Sequence, residues 1–410
     1  MIDEVFSIYQ HTKPDWPIKP LGQLCIEVRK QNLGDIESNL LSLSYGQIID
    51  KDLENAKGLV PDSYETYNIV EPGDVVLRLT DLQNDKKSLR VGQVQSRGII
   101  TSAYTTLRSK GALDPRWLYY TLHAYDLEKY FYSMGSGLRQ SMKFDDLKHL
   151  PIAVPSQDTQ KLITQHLDER VSKAKELKES IELLASATEA SFRSLIDSQM
   201  SKISEQIKLK YVCAVQSGNS LSAEYIEEHE LHSTTGKPFI ATKDLDYLGN
   251  ISEEIEISIP DELQAEFRTT KPGDVLICSE GGSAGRKFAI TKTSANYGNK
   301  LFACRMNSNF HSSFLFYFFY SQQFKNQFNK SLNGLIGGIS KESFGDIKLP
   351  YASRQEQERL VELFTDKFED FKTLSAALAV LRDKTEEMSR NLISNSLTGA
   401  HTITETKRGA

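Results

Sequence analysis

Gln160-Lys161-Leu162-Ile163 and Gln357-Glu358-Arg359-Leu360 open two long runs that contain neither proline nor glycine, Ser156–Met200 and Tyr351–Thr398. In the first run, alternate steps of four and three residues pick out Ile163, Leu167, Arg170, Ala174, Leu177, Ile181, Leu184, Thr188, Ser191 and Leu195. In the second, the same steps pick out Leu360, Phe364, Lys367, Phe371, Leu374, Leu378, Leu381, Thr385, Met388 and Leu392. Every member has its counterpart 197 positions later, and even the polar breaks coincide: Arg170 with Lys367, Thr188 with Thr385. A 3.5-residue apolar period is the seam of a coiled coil. Pro151 and Pro155 mark the first start, Pro350 the second, and Gly399 the second stop. About 42 residues at about 1.5 Å each make a rod of roughly 60 Å. Neither helix can bury its stripe alone, and the expected partner is the other helix of the same chain. The competing arrangements are packing on its own globular segment and homodimerisation.

Working outward, the rest of the chain is also written twice. Glu71-Pro72-Gly73-Asp74-Val75-Val76-Leu77 answers Lys271-Pro272-Gly273-Asp274-Val275-Leu276-Ile277, and Phe144-Asp145-Asp146-Leu147 answers Phe344-Gly345-Asp346-Ile347. Ile18-Lys19-Pro20-Leu21 with Cys25 answers Ile207-Lys208-Leu209 with Cys213. The offset drifts between matched phrases, which places small insertions in loops. The segments before the helices alternate short strand runs with turns and end in aromatic helical patches, Trp117 to Phe131 and Phe314 to Phe328. The expected fold class is therefore α+β. Two mixed α/β domains are separated by two long helices forming an antiparallel coiled coil, with a pseudo-two-fold internal repeat. The expected boundaries are domains at 1–150 and 201–350, helices at 151–200 and 351–398, and a flexible tail at 399–410.

Composition narrows the function. No apolar run reaches about 18 residues, so no transmembrane helix is expected. The acidic start Met1-Ile2-Asp3-Glu4-Val5 lacks a signal peptide's basic start and apolar core, so none is expected. A cytoplasmic protein is expected. Cys25, Cys213, Cys278 and Cys304 are scattered without a C-x-x-C pair, so a zinc site of the usual spacing is excluded and buried reduced thiols are expected.

A net charge of −6 argues against a nonspecific nucleic-acid coat. The average hides a pattern. Residues 1–74 and 201–270 each carry −7, whereas 75–150 carry +5 and 271–350 carry +6. Two separated basic backs on an acidic chain suggest two localised anion contacts. In the first lie Gly135-Ser136-Gly137-Leu138-Arg139-Gln140-Ser141-Met142-Lys143 and the stretch Arg78-Leu79-Thr80-Asp81 with Lys86, Lys87 and Arg90. In the second lie Asn333-Gly334-Leu335-Ile336-Gly337-Gly338-Ile339-Ser340-Lys341 and Ser279-Glu280-Gly281-Gly282-Ser283-Ala284-Gly285-Arg286-Lys287. Glycine lets backbone N–H groups approach phosphate, and Ser and Lys donate to it. Arg, Asn and Gln read base edges bidentately. The candidate DNA contacts are Arg78, Lys86, Lys87, Arg90, Ser136, Arg139, Gln140 and Lys143, and Ser283, Arg286, Lys287, Asn299, Lys300 and Lys341. The plain alternative for any single loop is a glycine turn; matching places in both copies weigh against it for the set.

Catalytic motifs are missing. The run from Gly281 to Lys287 lacks P-loop spacing, and there is no G-x-S-x-G, H-E-x-x-H or strand-borne G-x-G-x-x-G. Asp114-Pro115-Arg116-Trp117 is not the [N/D]-P-P-[Y/F] of an adenine methyltransferase. His229 and His232 share an acidic stretch and read as a solvated loop. No nucleophile with its base is visible. The chain by itself reads as non-catalytic.

Two divergent domains alternate here with two matching helices, each entered through a Leu-Pro phrase and a Gln-x-x-[Leu/Ile] start. The phrases are Leu147-Lys148-His149-Leu150-Pro151-Ile152 through Gln160, and Ile347-Lys348-Leu349-Pro350 through Gln357. In this, nearly the whole chain resembles the specificity subunit of a type I restriction-modification system. The second entry departs slightly, reading Leu-Pro-Tyr-Ala-Ser. The resemblance implies two target recognition domains, each reading half of a bipartite, asymmetric duplex sequence, with the helices as the ruler between them. It also implies two docked methyltransferase subunits and further nuclease-translocase subunits, with S-adenosylmethionine, ATP and Mg on those partners and no cofactor on this chain. The alternative is a coiled-coil scaffold whose globular ends bind protein.

Overall fold

The computed structural model describes residues 16–51, 63–82, 88–134, 141–232, 235–332 and 337–397. The chain forms two compact units, Met1–Ser180 with Leu381–Ala410, and Ile181–Val380. This division differs from the linear one expected from the sequence, because it cuts both long helices in half. The reason lies in the pairing. In the first unit Ile163 and Leu167 share a buried cluster with Ile393 and Leu397, and Lys178 pairs with Glu386. As one helix ascends, the other descends. In the second unit Phe192 stacks on Phe371 at 5.2 Å and packs on Phe368 at 5.4 Å. Each unit thus holds an antiparallel pair of half-helices on its own globular core. The helices run Gln157–Met200 and Arg354–Leu397.

The 3.5-residue seam holds at the start of each helix and then slips. Ile163, Leu167, Ile181, Leu360, Phe364, Phe371 and Leu378 are buried. Leu177, Leu184, Leu374, Leu381 and Met388 are exposed, which corrects their assignment to the seam. Leu195 and Leu392 are only half-buried, and Ile196 and Ile393 beside them are buried instead. A straight helix has 3.6 residues per turn and drifts about 20° per heptad, so over four heptads the buried face moves on by nearly one residue. Phe192, next to the seam position Ser191, joins the packed face for the same reason, while Thr385 is buried at its expected seam position.

Each unit carries the same four-stranded antiparallel sheet. In the first, Cys25–Glu27, Thr105–Ser109, Val75–Leu77 and Val91–Gln93 lie in that order; in the second, Cys213–Ser217, Leu301–Met306, Val275–Cys278 and Phe288–Ile290. A two-stranded clasp closes each unit: Ile18–Pro20 on Pro151–Ala153, and Gln206–Lys208 on Lys348–Pro350. The Leu-Pro phrases are therefore strands, and residues 151–153 belong to the globular part rather than the helix. All four cysteines are buried and unbonded.

Two repeated side-chain devices explain the repeated phrases. Asp74, almost fully buried, accepts Nε and Nη2 of Arg108 at 2.6 and 2.7 Å and the Glu71 N–H at 2.9 Å. Asp274 does the same with Arg305 at 2.8 and 2.6 Å and the Lys271 N–H at 2.8 Å. The aspartate hydrogen bond holds each guanidinium above its ordinary pKa. Gly73 (φ 93°) and Gly273 (φ 90°) supply the left-handed turn that brings the carboxylate round. The second device is the buried glutamine of each helix start. Gln160 accepts from the Asp114 N–H and donates to the carbonyls of Pro155 and Ala112; Gln357 accepts from the His311 N–H and donates to those of Ala352 and Asn309. Each locks a helix onto the loop before an aromatic helix.

That helix in the first unit, Pro115–Leu127, buries an imidazole and a carboxyl, His123 and Asp126. Burial pushes the His123 imidazole down from 6.5 to about 4. Burial also raises the Asp126 carboxyl from 3.8 to about 6, against hydrogen bonds from the Arg90 and Val91 N–H groups. Protonating His123 favours the unfolded chain, so it weakens the unit as pH falls from 6.5 to about 4. Ionising Asp126 also favours the unfolded chain, so it weakens the unit as pH rises from 3.8 to about 6. The two oppose each other in one window. In Asp126→Asn the stability of this unit, relative to wild type, should fall more steeply as pH drops from 6.5 to 4. In His123→Phe it should fall as pH rises over 4–6. Each slope approaches about 1.4 kcal/mol per pH unit. Urea titrations at half-unit pH steps measure it, and parallel profiles for both variants and wild type would refute the assignment.

Candidate nucleic-acid interface

The loop leaving the third sheet strand returns through a matched pair of cations. The Arg78 N–H donates to the Arg90 carbonyl at 2.9 Å, and the Cys278 N–H to the Lys287 carbonyl at 2.9 Å. Arg90 and Lys287 thus hold the same place in the two copies. Arg90 is fully buried, which corrects its reading as a DNA contact. Its guanidinium donates inward to the carbonyls of Thr80 (2.8 Å), Arg78 (3.2 Å) and Asp81 (3.3 Å), and Nε donates to the Tyr132 hydroxyl at 3.0 Å. Peptide oxygens and an aromatic face at 5.3 Å replace the water that a buried cation loses. Arg90 is a strut under the loop.

Lys287 is half-buried and donates to the Thr242 carbonyl at 3.3 Å. Its ammonium lies 5.3 Å from the Tyr247 ring centroid, and the exposed Arg286 guanidinium lies 5.8 Å from it. Arg286 also donates to the Gly282 carbonyl. Tyr247 was not legible as a site residue, since it stands some forty positions away in a stretch without periodicity.

The structure brings the two candidate loops of each copy together. The Met142 N–H donates to the Leu79 carbonyl at 2.9 Å in the first unit, and the Ile339 N–H to the Ser279 carbonyl at 3.0 Å in the second. In the second unit the Gly281 N–H also reaches the Gly337 carbonyl at 2.9 Å, and the Ser279 N–H reaches the Lys300 carbonyl at 2.9 Å. One surface therefore gathers half-buried Ser283 with exposed Arg286, Asn299, Lys300 and Lys341. Lys300 makes a long surface pair with Glu280, 3.6 Å. Lys341 opens the helix Lys341–Gly345, which Ser340 caps. In the first unit exposed Lys143 stands just before the matching helix Phe144–Leu147, and Arg78 is half-buried. Lys86, Lys87, Ser136, Arg139 and Gln140 lie outside the described residues.

Gly281, Gly282 and Gly337 meet nothing within 4 Å where a Cβ would stand, so the backbone there is open to close approach. A cleft of about 630 Å³ beside them in the second unit is lined by Arg193, Tyr247, Arg286, Lys325 and Phe328, among others. Cations, glycine backbone open to close approach and the Asn299 amide on one face suit an anionic polymer with readable edges. Among the described residues, no group of His, Cys, Asp and Glu could hold a metal ion, and no helix is long and apolar enough to cross a membrane.

Fold and surface define a tandem α+β protein with a matched pair of cation-bearing loops in each unit. The comparisons place it further. The family model described as type I restriction modification DNA specificity domain matches residues 202–378. Those residues belong to that family, and the first unit repeats their sheet order and loop stitching. Among solved structures, a chain from a study of complex assembly and conformational transition of the type I R-M system has the same fold. It has a TM-score of 0.66 at 14% identity, over 96% of this chain and 100% of that one. The HsdS subunit from Thermoanaerobacter tengcongensis matches with a TM-score of 0.43 and 16% identity, covering 95% and 98% of the two chains. The S subunit from M. genitalium matches with 0.39 and 19% identity, covering 93% and 97%. Among curated proteins, none matches the chain.

Proposed function

We propose that each globular part reads one half of a bipartite, asymmetric duplex sequence, that the paired helices set the spacer, and that methyltransferase subunits dock on this chain. Nuclease-translocase subunits join them; S-adenosylmethionine, ATP and Mg are used on the partners, and this chain contributes no catalytic group. One observation carries the reading: the same stitched pair of loops recurs at the same place in both units. A single scaffold surface gives no reason for that duplication, whereas two half-sites do.

The test is a methylation map. The chain is expressed with its methyltransferase subunit in a host lacking the modification, and the DNA is sequenced by a modification-sensitive method. The expected result is a split motif with a fixed nonspecific spacer. Co-purification of the two chains without any motif would overturn the reading.

A further inference from the structure

The first unit carries a hairpin, Leu41–Ser44 paired with Gln47–Asp50, that has no counterpart among the described strands of the second. Its two tip residues are both left-handed, Tyr45 at φ 46° and Gly46 at φ 79°. A two-residue turn with both φ positive matches the twist of its strands, and Asn-Gly is its favoured sequence. A tyrosine pays a steric penalty in that conformation. Packing does not repay it, because Tyr45 is 80% exposed. A strained residue that is largely exposed is a candidate for external work.

The tip stands beside the candidate interface. A Cβ at Gly46 would lie 2.9 Å from the Leu89 Cβ and 3.4 Å from the Val91 carbonyl, on either side of the strut Arg90. Leu41 and Leu43 are buried, while Gln47 and Ile49 are exposed. From Leu41 to Ile49 the hairpin carries no charge, whereas the neighbouring loop carries Arg78 and is tied to the segment leading into Lys143.

We propose that this hairpin enters the major groove of duplex DNA and that Tyr45 is a specificity-determining residue for the half-site read by the first unit. The proposal rests on the reading that the chain recognises duplex DNA. The major groove admits a two-stranded ribbon. Its floor offers base-edge donors, acceptors and thymine methyl groups, which suit an uncharged tip. Gln47 can pair bidentately with an adenine edge, and the Tyr45 ring and Ile49 pack on apolar edges. Cations on the flanking loops meet the phosphates.

The test uses the purified full-length chain with its methyltransferase subunit. Fluorescence anisotropy is measured on a duplex carrying the mapped site and on two duplexes with one half scrambled each. Tyr45→Asn relieves the turn, so its melting temperature should equal or exceed that of wild type. Its affinity for the intact site should fall about tenfold. Scrambling one half should then cost it little more, while discrimination of the other half persists. Wild-type affinity in Tyr45→Asn, with wild type discriminating both halves, would overturn the proposal and leave the parent reading standing. So would lost co-purification with the methyltransferase subunit at unchanged half-site discrimination, which would assign the hairpin to a protein partner. Failure of wild type to discriminate either half would sink both.

Discussion

Asp274→Ala is expected to destabilise the second unit by about 3 kcal/mol, and Asp74→Ala the first by a similar amount. Each carboxylate is nearly fully buried and receives two charge-assisted bonds from one guanidinium plus a backbone N–H. Bidentate Arg–carboxylate pairs are the stronger kind. Removing one member of a buried pair costs about 3–5 kcal/mol when the other is left stranded. Here the Arg305 side chain is 40% exposed and can regain water, which pulls the figure to the low end. The ion pair also ties the Pro-Gly-Asp turn to the central strand Leu301–Met306, so the loss spreads into the sheet. Urea unfolding checks it. The second unit's transition should move for Asp274→Ala and the first unit's for Asp74→Ala. Asp274→Ala/Arg305→Ala should lose less than the two single losses added together, by about 1–2 kcal/mol. Single losses below about 1 kcal/mol would show the pair to be no more than a surface contact.

That ion pair shows what was legible and what was not. Glu71-Pro72-Gly73-Asp74 and Lys271-Pro272-Gly273-Asp274 announce a repeated turn, because glycine and the carboxylate are local. Their partners, Arg108 and Arg305, sit some thirty residues on, and only the sheet register brings them opposite. Gln160 and Gln357 were likewise visible as a recurring helix start, but their burial between three backbone groups follows from the fold of loops far upstream. The helices were legible as helices and as a pair, while the packed face slipped from Leu195 to Ile196 and from Leu392 to Ile393. A fixed 3.5 period ignores the 3.6-residue turn. Among the candidate contacts the sequence misjudged one cation, the buried Arg90. Arginine is read as a surface group because it is rarely buried whole, and nothing local reveals that the Thr80 and Asp81 carbonyls turn inward. Tyr45 was passed over because Leu41 to Ile49 carry no charge and belong to no repeated phrase.

Arg90→Met should cost the first unit about 4 kcal/mol and, at temperatures where it stays folded, remove discrimination of one half-site. Methionine keeps the volume and deletes every donor. The carbonyls of Arg78, Thr80 and Asp81 lose a charged partner, and so does the Tyr132 hydroxyl. Hydrogen bonds from a charged donor contribute about 1.5–3 kcal/mol each, and the cation's own desolvation penalty disappears with it, so the net stays well below their sum. The same carbonyls shape the loop that Met142 is stitched to, so slackening them frees both loops of the first unit together. Lysine stands at the equivalent place in the second unit, where its single ammonium holds one carbonyl, Thr242. Arg90→Lys should therefore recover part of the stability and part of the half-site discrimination, because one strut replaces a fork. The measurement pairs urea unfolding with anisotropy on the intact and half-scrambled duplexes. If Arg90→Met were as stable as wild type, the inward bonds would contribute nothing net. If both half-sites lost affinity equally, Arg90 would act on the fold as a whole rather than on the first unit's loops.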